Sequence, residues 1–212
     1  MAYRSDPALL VLHALRLKGV APAAVVARVS GMSLAEVERL LDELAGAGQV
    51  EHREGRRAGW TLSAVGAGAH AGLVADELGA SAARTAVEEA HRRFLELNPE
   101  LLGACTAWQL RELEGGRVLN DHADPGYDRM VVERLVAVHD LVVPVLEALG
   151  QELGRFCPYA ARLQEALDRV VAGEGEWFTG ALLDSYHTVW FELHQDLLET
   201  LALERGAESV NV

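Results

Sequence analysis

A capped helix between two chain breaks is the feature of this sequence that most limits its fold. Ser33 and Glu36 have the spacing of a capping box, and apolar residues then recur at helical intervals as far as Gly46 and Gly48. A shorter helical segment, 22–29, ends immediately before this cap. The pattern therefore predicts two short helices joined by a tight turn.

A basic hairpin follows the second helix. Residues 49–53 alternate as a strand does, a tip with two glycines spans 54–59, and a second strand spans 60–62. The order is helix, turn, helix and hairpin, and the hairpin leads into a Thr-Leu-Ser-x-x-Gly run at 61–66. This order resembles the winged helix-turn-helix of MarR-like bacterial transcription regulators. The resemblance covers about the first 75 residues. It implies a DNA-binding protein that acts as a homodimer.

The rest of the chain has helical patterns and few strand-like runs. We therefore expect a mainly α protein, with a winged helix-turn-helix and small two-stranded wing in residues 1–79 and an all-helical domain in residues 80–212. Residues 114–127 are predicted to form a loop. The predicted C-terminal helices are 81–97, 99–113, 128–150, 158–172 and a last one within 174–204, which we expect to be the longest.

The net charge of −13 is unevenly distributed along the chain. Residues 1–75 carry eight basic and seven acidic side chains, whereas residues 76–212 carry eleven basic and twenty-five acidic ones. An acidic body repels phosphate, which favours weak non-specific binding and one fixed docking orientation on duplex DNA.

The solvent face of the second helix offers one basic residue, Arg39, among acids. The hairpin and the preceding turn carry better candidates for contacts with phosphate. The predicted DNA-binding residues are Arg28, Ser33, Arg39, Arg53, Arg56 and Arg57. Winged helices also serve as protein-interaction modules, so an adaptor that binds a protein partner stays an alternative.

The last helix carries two histidines, His187 and His194, seven residues apart. At about 100° per residue they project within about 20° of each other, inside an apolar band that includes Trp190. A buried imidazole needs a hydrogen-bonding partner. The opposite face of the same helix is predicted to carry Glu192, Gln195, Asp196 and Glu199.

Three roles remain open for the two histidines. Neighbours such as Asp184 or Asp140 could satisfy them as structural residues, or they could line a pocket for a small anionic or aromatic effector. A metal or haem site is the third reading, and its further ligands would come from His122, Asp121, Asp124 or His139. We expect no resident metal or cofactor. The predicted ligand-binding residues are Trp108, His122, Tyr127, His187, Trp190, Phe191 and His194.

Several classes of protein are excluded by what the sequence lacks. It has no GxSxG motif, no phosphate-cradling glycine loop and no paired-carboxylate motif, so we expect no enzyme. No apolar run reaches about 18 residues and the N-terminus has no leader pattern, which predicts a cytoplasmic protein that does not bind membranes. Cys105 and Cys157 are expected to be buried free thiols.

Overall fold

The computed structural model describes residues 2–56, 58–113 and 115–203, and the chain is mainly α, as predicted. Helices α1 to α9 are Pro7–Lys18, Ala23–Ser30, Leu34–Gly46, Ala64–Ala80, Arg84–Gln109, Pro125–Glu152, Cys157–Val171, Glu176–Thr179 and Tyr186–Leu201, with a 3₁₀ helix at Gly154–Phe156. Strands β1 to β5 are Val20–Ala21, Val50–Arg53, Gly59–Leu62, Leu110–Leu113 and Gly116–Leu119. Over the described ranges, no helix is long and apolar enough to cross a membrane.

The chain divides into two compact units. The first consists of Met1–Thr85, Leu149–Pro158 and Glu199–Val212, and the second of Ala86–Ala148 and Tyr159–Leu198. The domain boundary after residue 79 stays a prediction. Two segments from far along the chain belong to the same compact unit as the N-terminal helices.

The core of the first unit lies among α1, α2, α3 and a small sheet. Strand order is β1-β3-β2, all antiparallel, and Val50 pairs with Leu62 at the base of the β2–β3 hairpin. The predicted two-stranded wing therefore gains a third strand, β1, which is only two residues long and so gave no alternating pattern. The buried residues of this core are Val11, Leu12, Leu15, Ala21, Val26, Val37, Leu40, Leu41, Leu44 and Val50.

Helix α4 leaves the hairpin through a close backbone contact at Gly66. Ser63 caps the helix by accepting a hydrogen bond from the Gly66 N–H at 3.0 Å, and the Ser63 N–H donates to the Gln49 carbonyl at 3.0 Å. A Cβ at position 66 would lie 1.9 Å from that same carbonyl oxygen. The glycine that lowers helix propensity here is therefore required by packing.

Helix α5 of the second unit continues through the break that the sequence predicts at Pro99. The structure contains one helix, Arg84–Gln109, where two were predicted. Asn98 was expected to cap the second of them, but its side-chain oxygen accepts a hydrogen bond from Trp190 Nε1 at 3.0 Å. Proline removes one backbone donor without ending a helix that tertiary contacts hold.

The predicted loop at 114–127 is mostly regular structure. Strands β4 and β5 form an antiparallel hairpin in which Leu110 pairs with Leu119, and most of its side chains are exposed, so the apolar alternation of a half-buried strand is missing. Helix α6 then begins at Pro125, earlier than predicted, with the Asp124 carboxylate accepting from the Gly126 and Tyr127 N–H groups at 3.0 and 3.1 Å.

The last helix is neither the longest nor oriented as predicted. Helix α9 has 16 residues and α6 has 28. Two carboxylates placed on its outer face, Glu192 and Asp196, are 5% and 2% exposed. Helix α7 explains this, since Arg162 pairs with Glu192 and the Tyr159 hydroxyl donates to Asp196 at 2.9 Å.

Candidate functional site

Helix α3, the second helix of the helix-turn-helix, presents an acidic surface. Its one basic residue, Arg39, donates to Glu43 at 2.5 Å, and both side chains are more than half exposed. The Ser33 hydroxyl accepts from the Glu36 N–H and donates to the Glu36 carboxylate at 2.7 Å, so the capping box occupies it. These hydrogen bonds from Ser33, together with the charge of Arg39, hold the pKa of the Glu36 carboxyl below its ordinary value. The exposed acids of α3 are Glu36, Glu38, Asp42 and Glu43.

The β2–β3 hairpin carries two of the exposed arginines that the sequence singled out. Arg53 and Arg56 are exposed, and neither has an ion-pair partner among the described residues. Arg57 lies outside the described residues. Arg28 is exposed in the last turn of α2. The structure therefore places three of the six predicted DNA-binding residues as exposed arginines on α2 and the hairpin.

A buried polar network crosses the first unit. Arg155 Nε donates to Glu77 at 2.8 Å, Nη2 donates to the Thr200 hydroxyl at 2.6 Å, and Nη1 lies 3.3 Å from His13 Nε2. His13 Nδ1 in turn lies 2.8 Å from His70 Nε2. All five residues are at most 9% exposed. The network joins α1, α4, the 3₁₀ helix and the end of α9.

The direction of this chain of hydrogen bonds follows from the guanidinium. Arginine only donates, so His13 Nε2 is the acceptor and the His13 proton is on Nδ1, from which it is donated to His70 Nε2. Both imidazoles are therefore neutral in this arrangement. Burial, and secondly the neighbouring His13, lower the pKa of His70 to about 4.

The four predicted ligand residues of α9 lie outside the lining of a large cleft in the second unit. Trp190 and His194 both stack on Phe94, with ring centroids 4.6 and 4.7 Å away. His187 is half-buried, and burial lowers its pKa, whereas Phe191 is 52% exposed. Their ligand-binding role stays a prediction.

A large open cleft lies in the second unit. Its volume is about 1110 Å³, slightly above the usual range of pockets for organic ligands. It includes Trp108 and His122 from the predicted ligand set, but not Tyr127, whose hydroxyl donates to the carbonyls of Ala107 and Leu110 at 3.1 and 3.3 Å. The cleft is lined mainly by aliphatic groups and contains Arg129, Asp128, Glu176, Val132, Val170, Val171, Leu182 and Leu183.

His122 is held in the cleft by a set of short contacts. Its Nδ1 donates to Asp128 Oδ2 at 3.0 Å, and the other oxygen of Asp128 accepts from the Asn120 amide at 2.8 Å. The ring packs on Trp108, with centroids 4.5 Å apart. The backbone of His122 has φ of 57°, a left-handed conformation that costs energy in a residue with a side chain. An unusual backbone thus directs an oriented imidazole, with its Nε2 atom uncommitted among the described residues, toward the cleft.

The predicted ligand set lacks Asp128 and Arg129, which line the cleft, and Asn120 and Phe178, which contact its lining residues Asp128 and Trp108. Asp128 follows the Asp124 cap by one turn, so a helix start at Pro125 would have placed it beside His122. Phe178 belongs to α8, a helix of four residues that has no periodic signal. The sequence therefore holds a signal for the first residue and none for the last.

Metal and thiol chemistry find little support in the described part of the chain. Its residues include no group of three or more His, Cys, Asp or Glu side chains that could hold a metal ion. Both cysteines are free, and Cys105 is buried as expected, but Cys157 is exposed. The expectation of two buried thiols is thus wrong for Cys157.

The chain was also compared with known proteins. No protein-family model matches it, and neither the characterised proteins nor the solved structures contain a match.

Proposed function

We propose that this protein is a winged-helix transcription regulator that binds duplex DNA through the β2–β3 hairpin and the turn before α3. The observation that carries the proposal is a capped helix-turn-helix joined directly to a hairpin with two exposed arginines, Arg53 and Arg56. Arginines on a projecting hairpin suit contact with phosphate. We also propose that the protein acts in the cytoplasm.

The acidic face of α3 limits how this protein can dock on DNA. An ionised Glu36 and the Arg39–Glu43 pair leave this helix without a free cation for a phosphate or a guanine edge. Deep insertion of α3 into the major groove would bring its carboxylates toward the phosphates. We therefore propose that the hairpin and Arg28 supply most of the favourable contacts, and that binding is weak at physiological salt.

The contribution of the hairpin is tested by its salt dependence. In the double variant Arg53→Ala/Arg56→Ala, the slope of log affinity against log salt should fall by about 1.8, because each lost phosphate contact removes about 0.9. Fluorescence anisotropy with a labelled duplex over a salt series measures the slope. The matched control is Arg134→Ala/Arg117→Ala, which removes two exposed arginines from the second unit and should leave the slope unchanged. An unchanged slope in the hairpin variant would exclude the hairpin from the DNA interface.

A second candidate function, an adaptor that binds a protein partner, is favoured by one specific observation. The exposed face of α3 carries four carboxylates and one arginine that is already paired. Such a surface complements a basic protein better than it complements DNA. Retention on DNA separates the two functions, since an adaptor would show no binding of duplex even at low salt.

We further propose that the regulator is a homodimer, because two-fold symmetry doubles the contact of a small DNA-binding unit. The candidate seams are the predicted helix 81–97, which is part of α5, and the last helix, α9; most of their apolar residues are buried, and Phe191 on α9 is 52% exposed. Sedimentation at micromolar concentration should give about twice the chain mass of 22.9 kDa. A monomer with and without DNA would count against the regulator.

The second unit is proposed to hold a small organic effector in the cleft beside His122. His122 has a left-handed backbone and an oriented side chain, and it lies at the edge of a large cleft. Binding sites often contain such an arrangement. The effector would alter DNA binding.

A further inference from the structure

The walls of the cleft in the second unit favour an aliphatic ligand over a flat aromatic one. The Trp108 indole already has two aromatic neighbours, His122 at 4.5 Å with a tilt of 44° and Phe178 at 4.9 Å with an interplanar angle of 13°. Gly175 closes its edge, since a Cβ there would lie 2.9 Å from Trp108 Cζ2. The aromatic contacts of Trp108 are therefore made within the protein, two of them to neighbouring rings. The remaining apolar lining is made of branched aliphatic side chains, Val132, Val170 and Leu183 among them.

The charged groups of the cleft favour a carboxylate. The Asp128 carboxylate already accepts hydrogen bonds from His122 and Asn120, whereas the lining charges Arg129 and Glu176 have no ion-pair partner among the described residues. Arg129 follows Asp128 directly, so the guanidinium and the imidazole of His122 come from the same end of the cleft. A carboxylate has two oxygens to satisfy, and the forked N–H groups of the Arg129 guanidinium can donate to both. Glu176 would offer an amine a single contact.

We propose that the cleft binds a carboxylate with an unbranched aliphatic chain, such as a medium-chain fatty acid. The carboxylate is held by the forked donors of Arg129, and the chain lies along the valine and leucine side chains. The inference rests on the proposed effector function, for which it names the ligand class. Leu182 and Val171, which are 99% and 63% exposed at the cleft, would be covered by the chain.

Calorimetric titration of the full-length protein with hexanoate, octanoate and decanoate tests the proposal. Affinity should rise roughly fourfold for each added methylene, as expected for burial of the chain in an apolar channel. The variant Arg129→Gln should bind decanoate about tenfold more weakly. The matched control is Arg134→Gln, on the same helix but paired with Glu100 at 2.8 Å and outside the cleft, and it should bind decanoate as the wild type does.

Two further probes can overturn the proposal. Decylamine should bind more weakly than decanoate, and Glu176→Gln should leave decanoate binding unchanged. Tighter binding of decylamine that is lost in Glu176→Gln would show that the cleft recognises a cation. Tighter binding of 2-naphthoate than of decanoate would show an aromatic site, and absence of decanoate binding at millimolar concentration would also overturn the assignment.

The same samples distinguish failure of the ligand assignment from failure of the proposed function. Decanoate binding is measured without DNA, and DNA affinity is then measured with and without decanoate. Saturable decanoate binding that depends on Arg129 supports the ligand assignment even if no duplex is retained, in which case only the regulator function fails. Retention of DNA without any decanoate binding leaves the regulator in place and overturns the ligand assignment.

Discussion

Replacement of Arg155 with methionine is expected to destabilise the first unit by about 3–5 kcal/mol, because it leaves a buried carboxylate without its counter-charge. The side chains of Arg155 and Glu77 are each 2% exposed, and their ion pair measures 2.8 Å. Among the described residues, Glu77 would keep its hydrogen bond from the Ser5 hydroxyl alone. The Thr200 hydroxyl and His13 Nε2 would lose a donor at the same time.

Hydrogen-exchange mass spectrometry on peptides from α1 and α4 measures this loss in the unit concerned. Arg39→Met is the matched control, since the Arg39–Glu43 pair has a short distance of 2.5 Å but both side chains are 59% exposed. An exposed pair is worth at most about 1 kcal/mol. If burial sets the cost, Arg155→Met should raise exchange in the slowest amides far more than Arg39→Met does.

A double variant separates the ion pair from simple loss of packing. Arg155→Met/Glu77→Gln removes the uncompensated charge along with the guanidinium, so it should be more stable than Arg155→Met alone. The alternative is that the two residues contribute independently. In that case Arg155→Met/Glu77→Gln would be less stable than Arg155→Met by the same amount that Glu77→Gln costs in the wild type. That result would contradict the idea that Glu77 is stable only as a partner of Arg155.

Much of the first unit could be predicted because its signals are local. The capping box of Ser33 and Glu36, the glycine end of α3 and the alternation in β2 each depend on a few adjacent residues, and the structure contains all three elements. Strand β1 could not be predicted in this way. Its two residues become a strand only because Val20 and Ala21 pair with β3, forty residues later in the chain.

The second unit was harder to predict because its long-range contacts override local patterns. Asn98 and Pro99 have the local form of a helix start, yet the helix continues and Trp190 uses the asparagine oxygen. The sequence of α9 predicts that the face with Glu192 and Asp196 is exposed to solvent. In the structure, Arg162 and Tyr159 of α7 cover that face. Periodicity identifies a polar face but cannot tell whether another helix supplies its partners.

The candidate cleft shows the same division between local and long-range information. Trp108 and His122 were identified from residue type, and the structure brings their rings within 4.5 Å. Arg129 and Glu176 look like ordinary surface charges in the sequence, and their shared cleft depends on how α6 and α8 pack in the second unit. The positive φ of His122 has no sequence signature beyond the tolerance of histidine for that conformation.

Mild acid is expected to weaken the first unit through His70. The folded state binds a proton at His70 only near pH 4, because burial and the neighbouring His13 lower its pKa to about 4. The unfolded chain binds one near the ordinary histidine pKa of about 6.5. Between these values the unfolded state holds more protons, so the free energy of unfolding falls as the pH falls.

The shift of the His70 pKa corresponds to about 3 kcal/mol of stability that is present above pH 6.5 and lost by pH 4. The hydrogen bonds that join Arg155, His13 and His70 explain this loss of stability. A proton on His70 Nε2 would face the Nδ1–H of His13, whose other nitrogen already accepts from Arg155. Protonation therefore breaks the His13–His70 bond instead of strengthening it.

The variant His70→Gln should remove this acid sensitivity, because the glutamine oxygen can accept from His13 Nδ1 but does not titrate in this range. Urea denaturation at half-unit intervals from pH 7 to pH 4 gives the free energy of unfolding for both proteins. The difference between pH 6.5 and pH 4 should be about 3 kcal/mol smaller in the variant. His52→Gln replaces an exposed imidazole on β2 and controls for the loss of a histidine as such. Parallel pH profiles for the wild type and His70→Gln would show that His70 is not the group that makes the first unit sensitive to acid.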